Sequence, residues 1–153
     1  MSSNAFGKAS IALQKEVLSK LDSIEKQVAS RAFIASNYLR NSALTVLKNE
    51  GSGRQYYKPN TRALYRASAP GEAPAKRTGN FRQSWQPSTT VQRTGGKYIV
   101  TARTESNMKA GGYLLGDLLE NGTSKMKARP YKEAVIKGAE SKIEALFKKP
   151  YTL

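Results

Sequence analysis

The sequence predicts an α+β protein in which a long N-terminal helix, a short helix and a C-terminal helix pack on a small antiparallel sheet, formed by a hairpin and an edge strand. Three observations predict this class. Apolar residues recur at helical spacing between residues 10 and 50, an alternating pattern flanks a glycine turn near residue 95, and helical spacing returns after Pro130. We expect one domain comprising the long helix (1–50), a basic Gly/Pro-rich loop (51–83) and the remaining elements (84–153).

The long helix is predicted by residues 10–50, which contain neither Gly nor Pro. A single apolar stripe follows it with a mean spacing near 3.6 residues: Val17, Leu21, Ile24, Val28, Ala32, Ala35, Leu39, Ala43 and Val46. About 40 helical residues extend ~60 Å, roughly twice the diameter of a small domain. We therefore expect part of the helix to bind a partner, with Leu21, Ile24 and Val28 as candidate contacts. The alternative is a helical hairpin with a break near Ser30 or Asn41.

The middle of the chain predicts a loop followed by a β-hairpin. Residues 51–83 are rich in Gly, Pro and cations, with a short strand expected at residues 55–58. Pro70-Gly71 suits the central positions of a type II turn, because Pro presets the first φ and Gly accepts the positive second φ. The hairpin is predicted from residues 84–93 and 97–104, joined by Thr94-Gly95-Gly96.

The C-terminal part predicts two helices separated by an edge strand. After a Gly-bearing loop at residues 107–112, leucines at helical spacing between 113 and 119 predict a short helix that stops at Asn121-Gly122. Residues 124–129 alternate weakly and are predicted as the edge strand. Pro130 then opens a helix from residue 131 to about residue 149, whose buried stripe is Val135, Ala139, Ile143 and Leu146.

The composition excludes several chemistries. The chain has no Cys and no His, so disulfides, thiolate or imidazole metal sites, Cys nucleophiles and His-dependent triads are ruled out. Asp117 and Glu120 share a face of the short helix, but solvent-facing or capping roles are favoured over a catalytic dyad. No phosphate-binding glycine motif occurs. We expect no enzyme activity, no catalytic residue, no cofactor and no metal.

Neither a membrane span nor an export signal is expected. The longest stretch without a charged residue, 83–92, is polar and far shorter than the roughly 20 apolar residues of a spanning helix. The first residues show neither a signal-peptide nor a transit-peptide pattern, so we expect the protein to act where it is made.

The charge pattern raises a nucleic-acid hypothesis. The net charge is +15, and residues 51–110 carry eleven cations against two carboxylates. Aromatic residues are interleaved with those cations, a mixture suited to phosphate neutralisation and base stacking: Tyr56, Tyr57, Tyr65, Phe81 and Trp85. Alternatively, the aromatics belong to the core and the cations face an acidic protein. A small basic nucleic-acid-binding protein using the loop from Arg54 to Arg82 is thus the second hypothesis.

Two motifs are more specific than the charge. The segments SAPGEAPAKRTGNFRQS (68–84) and YLLGDLLENGTSKMKARPYKEAV (113–135), in this order of elements, resemble the tail-completion or minor tail component family of long-tailed bacteriophages. The first motif contains Pro70, Gly71, Thr78, Gly79 and Ser84, and the second contains Glu120, Gly122, Thr123, Arg129, Pro130 and Tyr131. The chain departs from the family pattern at Phe81, where Leu is usual, at Asn121, where an aromatic is usual, and at Tyr131, where Phe is usual.

The resemblance implies a structural protein of the virion neck, made in the host cytoplasm. It implies a ring homo-oligomer, six-fold or a multiple of it, that contacts the head-side connector or stopper and the tail terminator or tail tube proteins. Contact with genomic DNA stays open. Cations of the basic loop are then candidates for docking on acidic faces of those neighbours: Arg62, Arg66, Arg77 and Arg82.

Elementary chemistry gives the motif residues structural roles. Gly122 allows a positive φ after the short helix, and Thr123 can accept hydrogen bonds from loop amides. Arg129 can bridge to a carboxylate such as Glu120. Pro130 and Tyr131 start and anchor the last helix.

Overall fold

The α+β class predicted from the sequence is confirmed by the computed structural model, which describes residues 3–152 and the side chains of residues 7–152. The helices are α1 (Ser3–Val46), α2 (Asn80–Gln83), α3 (Leu115–Asn121) and α4 (Lys132–Lys148). The strands are β1 (Gln55–Tyr57), β2 (Leu64–Arg66), β3 (Trp85–Thr94), β4 (Lys97–Ser106), β5 (Lys109–Ala110) and β6 (Tyr113–Leu114). No described helix has the length and apolarity to cross a membrane.

Helix α1 is one continuous helix, so the alternative of a break near Ser30 or Asn41 is wrong. It ends at Val46, four residues before the predicted boundary, and a turn follows in which the Leu47 amide donates to the Ala43 carbonyl at 2.9 Å. Leu47, the first residue after the helix, is buried in the core.

Helix α4 runs antiparallel along α1. The Ser42 hydroxyl donates to the Val135 carbonyl at 2.7 Å, near the start of α4. Beyond its end, Arg31 donates to the Lys149 carbonyl at 2.5 Å, and Gln27 Nε2 donates to the Thr152 carbonyl at 2.6 Å. The α1 side chains buried along this stretch are small, which permits close approach of the backbones: Ala32, Ala35, Ser36, Ser42 and Ala43. The predicted stripe of α4 is confirmed, with Val135, Ala139 and Leu146 buried and Ile143 half-buried.

Strands β3 and β4 form the predicted hairpin. Its turn is Gly95-Gly96 with φ of +58° and +74°, values that a two-residue turn between right-twisted strands requires. The hairpin lies along α1, because Arg40 Nε donates to the Trp85 carbonyl at 2.9 Å and Arg93, at the other end of β3, pairs with Glu25.

The predicted edge strand is wrong. Residues 124–129 contain no strand, and only an isolated bridge joins Thr123 to Met126. The Thr123 hydroxyl accepts from the amides of Lys125 at 3.2 Å and Met126 at 3.0 Å, and these local bonds fold the segment into a turn. The described strands instead form three separate two-stranded ribbons, β1–β2, β3–β4 and β5–β6. The loops predicted at 51–83 and 107–112 therefore contain short β structure, and the first also leads into α2.

The core is small and aromatic. Its buried members are Ala43, Leu47, Trp85, Tyr131 and Val135. Phe81, Trp85 and Tyr131 form a triangle with ring centroids 5.8–6.0 Å apart and edge-to-face orientations. Burial raises the pKa of Tyr131, and the charges of Glu120 and Asp117 raise it further, so the phenol is neutral. Phe81 and Trp85 thus belong to the core, as the alternative reading of the interleaved aromatics expected.

Candidate functional site

The two motif segments meet in space through Arg129. Its Nε donates to Ser68 Oγ at 2.5 Å and its Nη2 donates to the Ser68 carbonyl at 2.9 Å. Close by, the Gly71 amide donates to the Ala128 carbonyl at 3.1 Å. The start of the first motif is therefore fixed on the end of the second. We call this contact the motif junction.

Glu120 caps α4 and does not pair with Arg129, so the bridge predicted between them is wrong. One Glu120 carboxylate oxygen accepts from the backbone amides of Tyr131 at 2.9 Å and Lys132 at 3.2 Å. Negative charge at a helix N-terminus is favourable because the first N–H groups have no partner inside the helix. The Arg129 guanidinium is occupied by Ser68 and by the Lys127 carbonyl at 2.8 Å.

Gly122 is confirmed as a turn residue. Its φ is +76°, and its amide donates to the Leu118 carbonyl at 2.9 Å, closing α3. A Cβ on Gly122 would lie 2.7 Å from both the Ala128 nitrogen and the Met126 oxygen. Only glycine fits without moving the turn. The predicted role of Thr123, as acceptor for loop amides, is confirmed as well. Tyr131 is buried at the start of α4 as predicted, but the helix begins at Lys132 with Tyr131 as its N-cap, so Pro130 precedes the first turn and does not lie in it.

The first motif builds two further turns. Pro70-Gly71 forms the predicted type II turn, since Gly71 has a φ of +83° and the Glu72 amide donates to the Ala69 carbonyl at 3.2 Å. Gly79, with a φ of +92°, starts α2. Thr78 Oγ1 accepts from the Asn80 amide at 3.4 Å. At the other end of α2, Ser84 Oγ and Ser106 Oγ share a hydrogen bond of 2.6 Å, which joins the start of β3 to the end of β4.

Glu72 is a structural carboxylate that sequence reasoning did not single out. It accepts hydrogen bonds from the Ser52 hydroxyl, from the Ser52 amide at 3.1 Å and from the Ala69 amide at 2.8 Å. These bonds, that of the Ser52 hydroxyl foremost, lower the pKa of Glu72. The signal in the sequence was its position as the single anion among the seven cations of residues 51–83.

The cations of the basic loop divide into two groups. Arg54, Arg62, Arg66, Lys76 and Arg77 are exposed, whereas Lys58 and Arg82 are not fully exposed. Arg82 is half-buried and its Nε donates to the Leu44 carbonyl at 2.6 Å, near the end of α1. The docking role predicted for Arg82 is therefore corrected to a structural one, because its guanidinium satisfies a carbonyl at a helix C-terminus. None of the loop cations pairs with a described carboxylate.

The first part of α1 is exposed: N-terminal to Leu18 it projects beyond the rest of the described protein, while Leu18, Leu21 and Asp22 lie beside the hairpin turn. Residues 7–22, which we call the projecting segment, are exposed at every position. Their large apolar side chains are 49–63% exposed: Ile11, Leu13, Val17, Leu18 and Leu21. Of the three predicted partner contacts, Leu21 lies in this segment, whereas Ile24 and Val28 are half-buried within the protein's own fold.

Comparisons with known proteins do not assign a function. No protein-family model, curated protein or solved structure matches this chain. In the part of the chain that the structure describes, no group of three or more acidic residues is placed to hold a metal ion. The features that bear on function are the motif junction, the projecting segment and the exposed cations.

Proposed function

We propose that this protein is a structural component of a bacteriophage neck, which assembles into a ring and joins the tail to the head through protein interfaces. The observation that carries the proposal is the projecting segment. Its apolar stripe is the continuation of the stripe that the protein's own hairpin and α4 cover from about residue 24 onward.

An apolar stripe that extends beyond the protein's own core stays exposed to water unless another molecule packs against it. The projecting segment extends about 24 Å at the rise of an α-helix. An isolated helix of this length is marginal in water, and a row of half-exposed leucine, isoleucine and valine side chains marks an interaction surface. A neighbouring subunit supplies such cover in a closed ring, where each copy uses the same pair of surfaces.

The choice of a phage neck among ring assemblies is supported by the two motifs. Their residues resemble those of the tail-completion family at positions that build the motif junction and its turns. We propose a homo-oligomer that is six-fold or a multiple of it, located in the virion neck. Its proposed neighbours are the head-side connector or stopper and the tail terminator or tail tube proteins.

A second candidate function is favoured by the β1–β2 ribbon. Tyr56 and Tyr57 are 46% and 69% exposed, and the Arg54 guanidinium lies 5.6 Å from the centre of the Tyr56 ring. Exposed aromatic rings beside cations suit stacking on single-stranded bases. The candidate is weakened because Phe81 and Trp85 lie in the core and cannot stack on a ligand.

Particle mass and electron-microscopy class averages of the purified full chain test the proposed function. We expect closed rings with one dominant symmetry. A monomer at all concentrations, combined with tight binding to single strands whose salt slope is near −0.7 per phosphate contacted, would contradict the ring and favour the second candidate.

Neutralising Arg62, Arg66 and Arg77 together provides the functional test. We expect packed heads and assembled tails that stay unjoined, because complementary charge sets encounter rate and register at an interface. The matched control neutralises Lys137, Lys142 and Lys149, which are equally exposed on or next to α4. Normal joining by the first variant contradicts the docking role.

A further inference from the structure

A cavity of about 500 Å³ opens beside the motif junction. It lies between β2, α2, β5 and α3, and Ser68, Thr78, Gly79 and Arg129 of the two motifs help to line it. This volume is within the range of about 300–1,000 Å³ that ligand sites occupy. We call it the junction cavity.

The wall of the junction cavity is largely apolar. Its apolar side chains include Phe81, Met108, Leu115, Leu119 and Met126, all of them half-buried. Such a surface favours an apolar group, since binding there removes apolar surface from water.

The remaining charge of the wall is positive. Lys76, Arg77 and Lys109 line the cavity and are exposed, whereas no Asp or Glu of the described residues lines it. None of the three cations pairs with a described carboxylate. Arg129 is a fourth cation of the wall, but its donors are directed to Ser68 and Lys127. The cavity therefore suits a ligand that carries both an apolar group and negative charge.

We propose that the junction cavity binds an acidic peptide segment of another protein, with one apolar side chain inserted and flanking carboxylates against Lys76, Arg77 and Lys109. A peptide is favoured over a small anion because β2 and β5 border the cavity. Each of these strands is paired on one side only among the described strands. An unpaired strand edge binds extended peptide backbone, while an adjacent pocket selects a side chain.

A second copy of this chain is disfavoured as the occupant. Its 11 carboxylates are dispersed, and the sequence contains no two adjacent acidic residues, so the chain offers no acidic run of its own. The end of the described chain is also engaged elsewhere, because Tyr151 lies under Arg31 at 4.0 Å and Thr152 is bound by Gln27. That the acidic peptide belongs to a neck protein rests on the proposed function. The binding of an acidic peptide in the cavity does not depend on it.

The test uses the full chain and a synthetic hexapeptide containing two aspartates, leucine, phenylalanine and two further aspartates. With methyl-labelled methionine, we expect the peptide to shift the ε-methyl resonances of Met108 and Met126, both in the cavity wall. Affinity is measured by fluorescence anisotropy of the labelled peptide at moderate salt. Replacing leucine and phenylalanine of the peptide by serine should weaken binding at least tenfold.

Two variants of the chain probe the site itself. Ala110→Trp places a large ring at an exposed position of the wall, and we expect at least tenfold weaker binding. The charge variant K76E/R77E/K109E should have the same effect, while K137E/K142E/K149E changes the net charge equally at a distance and should retain binding to within threefold. Unchanged melting temperatures establish that each variant is folded.

Each outcome decides the proposal. Equal binding of the serine peptide, or equal losses in the two charge variants, would show attraction by net charge alone and overturn it. Methyl shifts with octanoate but none with the peptide would assign the cavity to a small anion and overturn it as well. If the peptide fails to bind a protein that still forms rings, the cavity proposal is wrong and the proposed function stands. If the peptide binds a protein that forms no rings, the cavity proposal stands and the proposed ring is wrong.

Discussion

Alanine at Gly122 should destabilise the protein far more than alanine at Gly71, although both glycines have a positive φ, +76° and +83°. A methyl group at Gly71 meets no atom of the described residues within 4 Å, so the cost is backbone strain of about 1 kcal/mol. At Gly122 the methyl would lie 2.7 Å from backbone atoms of Met126 and Ala128. Displacing that turn adds about 2 kcal/mol, in the range of overpacked sites.

The difference is measurable by thermal unfolding. One kcal/mol lowers the melting temperature of a chain of this size by about 2–4 °C, so we expect roughly 3 °C for Gly71→Ala and roughly 9 °C for Gly122→Ala. Valine at Gly122 should be worse still, because a branched side chain tolerates positive φ least. Asp117→Ala breaks one exposed ion pair of 3.1 Å with Lys132 and should cost under about 1 kcal/mol. Equal melting temperatures for the two alanine variants would refute the steric reasoning.

Three further predictions concern other surfaces. Leu21→Asp should prevent ring assembly but leave the subunit folded, since Leu21 is 49% exposed. Ser19→Asp, on the opposite face of the helix, should still assemble. Rings of both variants in class averages would contradict the interface. Glu72 has a pKa below its ordinary 4.5, so its contribution to stability is complete above pH 4.5 and is lost as the pH falls through the lower, folded value. Melting curves between about pH 6 and pH 3 should therefore fall less steeply for Glu72→Gln than for the parent, and parallel curves would exclude this role. Glu120→Ala should cost about 1–2 kcal/mol and speed hydrogen exchange at the start of α4, while Glu120→Gln, which retains an acceptor, should be milder.

The elements that the sequence predicted correctly are those with a long periodic signal. In α1 the stripe keeps its phase over many turns, which favoured one continuous helix over a broken one, and α4 buries Val135, Ala139 and Leu146 as expected. Gly95-Gly96 between alternating residues identified the hairpin and its turn. Strands of two or three residues, such as β5 and β1, are too short to show an alternating pattern. The β1–β2 and β5–β6 ribbons were therefore not predicted, apart from a single strand at residues 55–58.

Side-chain partners were predicted less well than turns. Gly71 and Gly122 were found because positive φ leaves a residue-type signature at the position itself, whereas the positive φ of Gly79 was not predicted. The partner of Arg129 is Ser68, 61 residues earlier, and no local pattern encodes such a contact. The weak alternation of residues 124–129 was misleading, since a single threonine hydroxyl was enough to favour a turn over a strand.

The projecting segment and the junction cavity lie toward opposite ends of α1. The cavity is near the helix C-terminus, because the amide of Lys76, which lines it, donates to the Asn49 carbonyl at 2.7 Å. From residue 22 to Val46 a continuous helix spans about 36 Å. At that separation, substitutions at the two surfaces should act independently. Under the proposed function, one subunit would contact a ring neighbour through its projecting segment while its cavity holds a different protein.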